Sequence, residues 1–270
     1  MLDYDREAAH YDATRGGDAR ADAAARAIQR LLPAEGTVRI ADVGCGTGIV
    51  TARLLRPGWP VVGIDRSARM AAVAAGRLPG RITVGDVTRL PLASGSADVV
   101  TMVWLLHLLS AAEVAVALAE AGRVLSRGGL LITTVGKNDA AFGPADDAAA
   151  ILGPVRARFD PGQTDRLDRV LAVGGRRGLR LAAQTTFVGM GQGVSPRRWR
   201  KRLAGNAFDW MAAAGRERVG ALCAELAGLP DQDRARPDPV YQLAALRKDA
   251  PRGRGRPDEP GPGPIRGCSP

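Results

Sequence analysis

The segment Ile40-Ala41-Asp42-Val43-Gly44-Cys45-Gly46-Thr47-Gly48-Ile49-Val50 constrains this chain more than any other. An apolar run reads as a buried strand, and three alternating glycines carry it into the start of a helix. Residues without Cβ let a ligand approach the backbone, and the amides at a helix start are free to receive it. One glycine is compatible with a bare turn; three argue for a bound group. The dinucleotide fingerprint is not met, because its third glycine falls on Ile49 when counted from Gly44 and on Thr51 when counted from Gly46. Asp42 sharpens that exclusion. A carboxylate ~5 Å from a phosphate opposes it by up to ~3 kcal/mol per charge at an effective dielectric near ~20. The same carboxylate suits a ligand bearing an ammonium group. No Gly-Lys-Ser/Thr follows, so a P-loop is excluded.

Around this turn, strand-like and helix-like runs alternate. Strands are expected at 38–43, 61–65, 82–84, 97–104, 129–135, 179–188 and 240–246. Helices are expected at 19–32, at 67–78 with Ser67 as N-cap, at 111–125, near 146–158 and at 165–177. A further helix starts at Ile49 and stops at Pro57, and 195–229 is helical with an interruption near Gly215. Strands without polar alternation between helices imply a parallel sheet covered on both faces. The expected domains are an N-terminal helical lid over 1–35 and a main domain over 36–249 with a helical insert at about 195–229. From residue 250 to 270 the chain becomes a Pro/Gly/Arg tail, whose composition predicts disorder.

Two acidic residues follow later strands. Asp65 ends the second one and either accepts both hydroxyls of a ribose or caps the next helix, although Ser67 is already placed for capping. Asp86 follows the third strand, where it either receives an exocyclic adenine amine, with the Val87 amide toward the ring, or sits in a solvent-facing turn.

Taken in order, Asp42-x-Gly44-x-Gly46-x-Gly48, Asp65, Gly85-Asp86-Val87-x-x-Leu90-Pro91, Ala97-Asp98-Val99-Val100 and Arg123-Val124-Leu125-x-x-Gly128-Gly129 form a set. That set resembles the class I S-adenosylmethionine-dependent methyltransferases, within them the small-molecule branch that includes the ubiquinone and menaquinone methyltransferases. The likeness spans roughly 36–135, continues more loosely through 165–188, and extends to a lid-like Tyr4-Asp5-Arg6 and Tyr11-Asp12-x-x-Arg15. It implies an α/β, Rossmann-like, doubly wound sheet of about seven strands, mostly parallel with the last antiparallel. It also implies S-adenosyl-L-methionine as cofactor. Gly44, Gly46 and Thr47 would then line the methionine moiety with Asp42 near its ammonium, Asp65 would hold the ribose, and Asp86 and Val87 the adenine. The Val103 backbone would face the methionine side, Tyr11 would close over the cofactor, and Cys45 and Arg66 belong to the same binding set.

A sulfonium donor is already activated, so the protein's tasks are alignment and exclusion of water; a phenol or amine acceptor also needs a base. His107 is the candidate base, though a structural role is favoured for it, and His10 is weaker still. Trp104, Trp199, Trp210, Phe187 and Phe208 either shape an acceptor pocket or fill the core. Ser195-Pro196-Arg197-Arg198-Trp199-Arg200-Lys201-Arg202-Leu203 reads as an RNA-binding cluster or, preferably, as a solvated helix face with Trp199 and Leu203 inward.

The net charge of +10 sits outside the glycine region: 136–249 holds 19 basic and 13 acidic residues, against 15 and 13 in 1–135. The three cysteines, Cys45, Cys223 and Cys268, form neither a disulfide framework nor a metal site, and the longest apolar run is too short to span a membrane. The expected partner is a small-molecule acceptor in the cytoplasm, without nucleic acid or metal. The alternatives are an RNA methyltransferase, a catalytically silent cofactor-binding protein and, last, a nucleotide-dependent dehydrogenase.

Overall fold

The computed structural model describes residues 4–142, 146–160, 162–205, 207–208 and 210–249; the expected tail at 250–270 lies outside them. In chain order the first half contains α1 (Tyr4–Glu7), α2 (Tyr11–Thr14), α3 (Gly17–Gln29), β1 (Ile40–Val43), β2 (Val61–Asp65), α4 (Ala68–Arg77), β3 (Ile82–Val84), β4 (Ala97–Met102) and α5 (Ala111–Val124). The second half contains β5 (Leu125–Val135), α6 (Asp147–Phe159), α7 (Leu167–Gly175), β6 (Leu179–Val188), α8 (Pro196–Ala204), α9 (Trp210–Ala214), α10 (Arg216–Ala227) and β7 (Val240–Lys248).

The strands form one seven-stranded sheet in the order β3-β2-β1-β4-β5-β7-β6. Strands β1 to β5 are parallel, and β7 runs antiparallel to both β5 and β6. This is the mostly parallel, Rossmann-like sheet expected from the sequence. From β1 the chain moves outward to β2 and β3, then returns to β4 on the other side. That reversal opens a crevice beyond the carboxyl ends of β1 and β4, the usual ligand position in such sheets.

Because side chains alternate across a strand, the sheet divides its apolar residues by parity. Ile40, Val99, Leu130, Ile132, Leu243 and Ala245 face one core, where α3 packs Ala21, Ala24, Ala25 and Ile28 against them. Ala41, Val43, Val100, Leu131, Ala244 and Leu246 face the other, covered by Val114, Ala117, Leu118 and Ala121 of α5 and Val170 of α7. Full burial of each Val, Leu or Ile contributes roughly 1.5–3 kcal/mol. A third core joins α6 to α8–α10 through Leu152, Trp199, Leu203, Trp210, Leu222 and Leu226. Trp199 and Leu203 are buried while Arg197, Arg198, Arg200 and Lys201 are exposed, so α8 follows the amphipathic reading.

Three expectations are corrected. The helix expected from Ile49 is only a 3-10 turn over Thr51–Leu54, with Leu55 extended. Pro57 bars the preceding residue from helical backbone, which leaves too few residues to propagate an α-helix. The Arg127-Gly128-Gly129 turn lies inside β5, where Gly128 at φ 74° accommodates a register shift between the Ala97–Leu125 and Val99–Leu130 pairs. The helical stretch expected over 195–229 with one interruption near Gly215 has that interruption, Gly215 at φ 80°, and a second between Ala204 and Trp210, so it forms three helices.

Candidate functional site

The glycine turn is built from the strand outward. Gly44 and Cys45 donate their amides to the Ile64 carbonyl at 2.8 and 3.1 Å, which folds the loop back over β2. Gly44, Gly46 and Gly48 have φ of 72°, 56° and 74°, a region that side chains disfavour by roughly 1–2 kcal/mol. Their surroundings differ. A Cβ on Gly44 would lie 3.0 Å from Leu105, and one on Gly48 3.0 Å from Ala74. At Gly46 nothing lies within 4 Å, because its open side faces a cleft.

That cleft has a volume of about 730 Å³ and lies at the reversal of the sheet. Asp42, Gly44, Cys45, Gly46, Thr47, Asp65, Arg66, Asp86, Val87, Val103, His107 and Tyr11 all border it, so the fold gathers the expected cofactor-binding set together with His107. His10 is exposed and does not line it. Of the five aromatics proposed for an acceptor pocket, only Trp104 does. Phe187 packs edge-on to Trp104 with centroids 5.7 Å apart, while Trp199, Trp210 and Phe208 belong to the third core. A second hollow of about 760 Å³ lies between Arg198, Asp231, Arg236 and Asp238, but Arg236 is already paired to Asp147 at 2.6 Å.

Asp65 accepts from the Gly46 amide at 2.7 Å and from the Ser67 amide at 2.9 Å, tying the glycine loop to the start of α4. Ser67 caps α4 through the Met70 amide at 3.0 Å, so the two residues share the helix start. Asp86 is fixed by the Thr88 amide and hydroxyl at 2.7 and 2.6 Å. Asp42 is 4% exposed and receives the hydroxyls of Thr51 and Thr101. Burial pushes the carboxyls of Asp42 and Asp65 above the usual carboxylate range, only partly offset by these hydrogen bonds. A cationic ligand in the cleft would relieve that cost.

His107 sits in a 3-10 turn over Leu106–Leu108 at the cleft wall. Burial first, then the charges of Lys137 and Arg20, push it down to about 2, and its Nδ1 is buried with no hydrogen-bond partner among the described residues. The imidazole is therefore neutral at ordinary pH but a weak proton acceptor, which suits an orienting role better than that of a base. Tyr4, in α1, is pushed up to about 12 by burial, with Tyr11 and Asp65 adding to it.

Other residues at the site carried little or no sequence signal. Asp12 of α2 receives the Thr47 hydroxyl and the Arg77 guanidinium, each at 2.6 Å, while Arg77 also donates to the Thr47 carbonyl at 2.6 Å. The lid is thereby pinned to the glycine loop and to α4. Asp12 and Arg15 at least lie within the Tyr11-Asp12-x-x-Arg15 pattern. Arg20, inside an alanine-rich helix, had nothing to mark it, yet it lines the cleft with its guanidinium carbon 3.4 Å from the Trp104 ring centroid. Among the described residues no cluster of His, Cys, Asp or Glu is arranged to hold a metal, and no helix is long and apolar enough to cross a membrane.

Residues 41–133 match a family model described as a methyltransferase domain. An uncharacterized methyltransferase of Mycobacterium tuberculosis is 34% identical over 137 residues, 49% of this chain and 55% of that protein. A demethylmenaquinone methyltransferase of Beutenbergia cavernae is 40% identical over 108 residues, 40% of this chain and 44% of the relative. The chain thus spans about half the length of the curated relatives it matches. Among solved structures, an S-adenosylmethionine-dependent methyltransferase from Thermotoga maritima superposes with a TM-score of 0.53 at 17% identity, covering 91% of this chain and 98% of that one. The cyclase SpnF superposes with a TM-score of 0.54 at 20% identity, covering 91% and 93%. At such identities the likeness concerns the fold alone.

Proposed function

Given that the chain carries a class I S-adenosylmethionine-dependent methyltransferase domain, we propose that it moves the methyl group of S-adenosylmethionine to a small-molecule acceptor, at O, N or C. The observation that carries this reading is the set of features in one cleft: the open side of Gly46 between two fixed carboxylates, Asp65 and Asp86. When bound, the cofactor supplies a methyl group on a sulfonium, which leaves by in-line displacement.

The chain's residues do the rest. Asp65, held by two backbone amides, is oriented for a ribose diol, and Asp86 with Val87 for the adenine edge. Buried Asp42 offers its charge to the ammonium of the amino-acid tail, while its two hydroxyl donors fix its position. Arg15, in the lid and lining the cleft, is the cation suited to the carboxylate of that tail; its Nε is buried without a hydrogen-bond partner among the described residues. Tyr4 and Tyr11 of the lid exclude water from the reacting atoms. The lid covers the acceptor, while neutral His107 orients it.

Isothermal titration of the full chain with S-adenosylhomocysteine tests this reading. Wild type should bind saturably, and Asp65→Ala should weaken binding at least tenfold. If the wild-type chain fails to bind, the assignment is lost.

A further inference from the structure

Two buried donors in the cleft wall, on Arg20 and Trp104, lack acceptors among the described residues. Arg20 is 6% exposed and lies beneath the lid, over Trp104 and 5.7 Å from the Tyr241 ring centroid. One of its NH groups donates to the Arg15 carbonyl at 3.0 Å, but its Nε has no acceptor among the described residues. Trp104 is in the same position, since its Nε1–H is buried without an acceptor there. The Trp104 backbone is also held at φ 55°, a region a bulky residue enters only when its surroundings force it, and its amide is fixed by the Thr134 hydroxyl at 2.7 Å.

Lys137 follows the turn at Gly136 that ends β5. Its amide is anchored to the Asp165 carboxylate at 2.8 Å, whereas its ammonium meets only the Asn138 side chain at 3.2 Å. Burial, and then the charges of Arg20 and Arg15, push the ammonium down to about 8. No described carboxylate forms an ion pair with Arg20 or Lys137. Buried cations are normally paired, and a site that leaves several unpaired stays costly until an anion enters.

We propose that the acceptor carries an oxyanion, a carboxylate or phosphate group, that docks against Arg20 with Trp104 Nε1–H as a further donor. The proposal rests on the methyl-transfer reading, in which the cofactor's own carboxylate occupies Arg15. One cofactor carboxylate on Arg15 leaves Arg20 without a counter-charge, so the second anion must come with the acceptor. Arginine presents a planar fork to such a group, and its stacking on Trp104 fixes the fork's plane.

The test uses the full chain and two probes, acetate and inorganic phosphate, at constant ionic strength. Arginine Nε–Hε resonances are followed by NMR with and without saturating S-adenosylhomocysteine, the Arg20 signal being assigned from Arg20→Lys. With the cofactor product bound, at least one probe should shift the Arg20 signal saturably, and the tighter probe identifies carboxylate or phosphate. Arg20→Gln or, should that variant not fold, Trp104→Phe should weaken the probe at least severalfold. If the probe binds only the free chain and is displaced by S-adenosylhomocysteine, the cations serve the cofactor and the proposal is overturned. Absence of any saturable shift overturns it equally. Failure of S-adenosylhomocysteine itself to bind, read separately by calorimetry, strikes the methyl-transfer reading instead.

Discussion

Gly46 and Gly48 sit two residues apart with nearly the same backbone, yet alanine should fail at each for a different reason. At Gly48 the new Cβ meets Ala74 at 3.0 Å and Leu78 at 3.1 Å on top of the unfavourable φ. Strain of roughly 1–2 kcal/mol plus overpacking of about 1 kcal/mol predicts a loss of stability near 2–3 kcal/mol, measurable by urea denaturation. At Gly46 only the backbone strain applies, so Gly46→Ala should cost about 1 kcal/mol of stability. Its methyl group enters the cleft, however, and S-adenosylhomocysteine affinity should fall at least tenfold by calorimetry. The glycine pattern was legible in the sequence as a ligand turn; which glycine faces ligand and which faces protein was not. That depends on α4 and Leu105, which reach the loop from elsewhere in the chain. For Asp42 the sequence likewise gave the charge and its place, whereas the hydroxyls of Thr51 and Thr101 that hold it are supplied by the fold.

Helices α1 and α2 are only four residues long, too short to be stable alone, and their position depends on side chains that reach the main domain. Arg77 is the clasp, bonded to both Asp12 and the Thr47 carbonyl. Both partners of that ion pair are partly exposed, so Arg77→Gln should cost no more than about 1 kcal/mol of global stability. It should nonetheless speed dissociation of S-adenosylhomocysteine severalfold in stopped-flow measurements, because the lid opens without the chain unfolding. The strands 61–65, 82–84 and 179–188 were readable to the residue, since proline, glycine or polar residues bound each short run. The segment after Gly48 was not, because a helix pattern of that length yields to the proline that follows it.

Across the molecule, buried ionisable groups set the pH response. His107, pushed down to about 2, does not titrate between pH 5 and 8 in the folded protein, so His107→Gln should leave the shape of the activity profile over that range unchanged. Lys137 titrates near 8 in the fold against about 10.4 when unfolded. Between those values the unfolded chain binds more protons, so this residue makes stability rise with pH. Its unfavourable charge is fully present below pH 8. Cys45 and Tyr4 work in the opposite sense above their ordinary values, because burial keeps both protonated. The test is therefore a difference: relative to Lys137→Met, wild-type stability should climb from pH 8 to 10 in urea titrations, and parallel curves would refute the assignment.

Apolar periodicity, the glycine spacing and the acidic residues at strand ends are local in the chain, and they were enough to mark the alternation of strands and helices and the ligand turn, while the seven-stranded sheet and the cofactor-binding set were expected from the family resemblance. The tertiary structure alone decided which buried charges lack partners. Arg20 lies in α3 and Trp104 just beyond β4, far apart in the chain, and solvation and pairing are properties of what surrounds a group in space rather than in sequence.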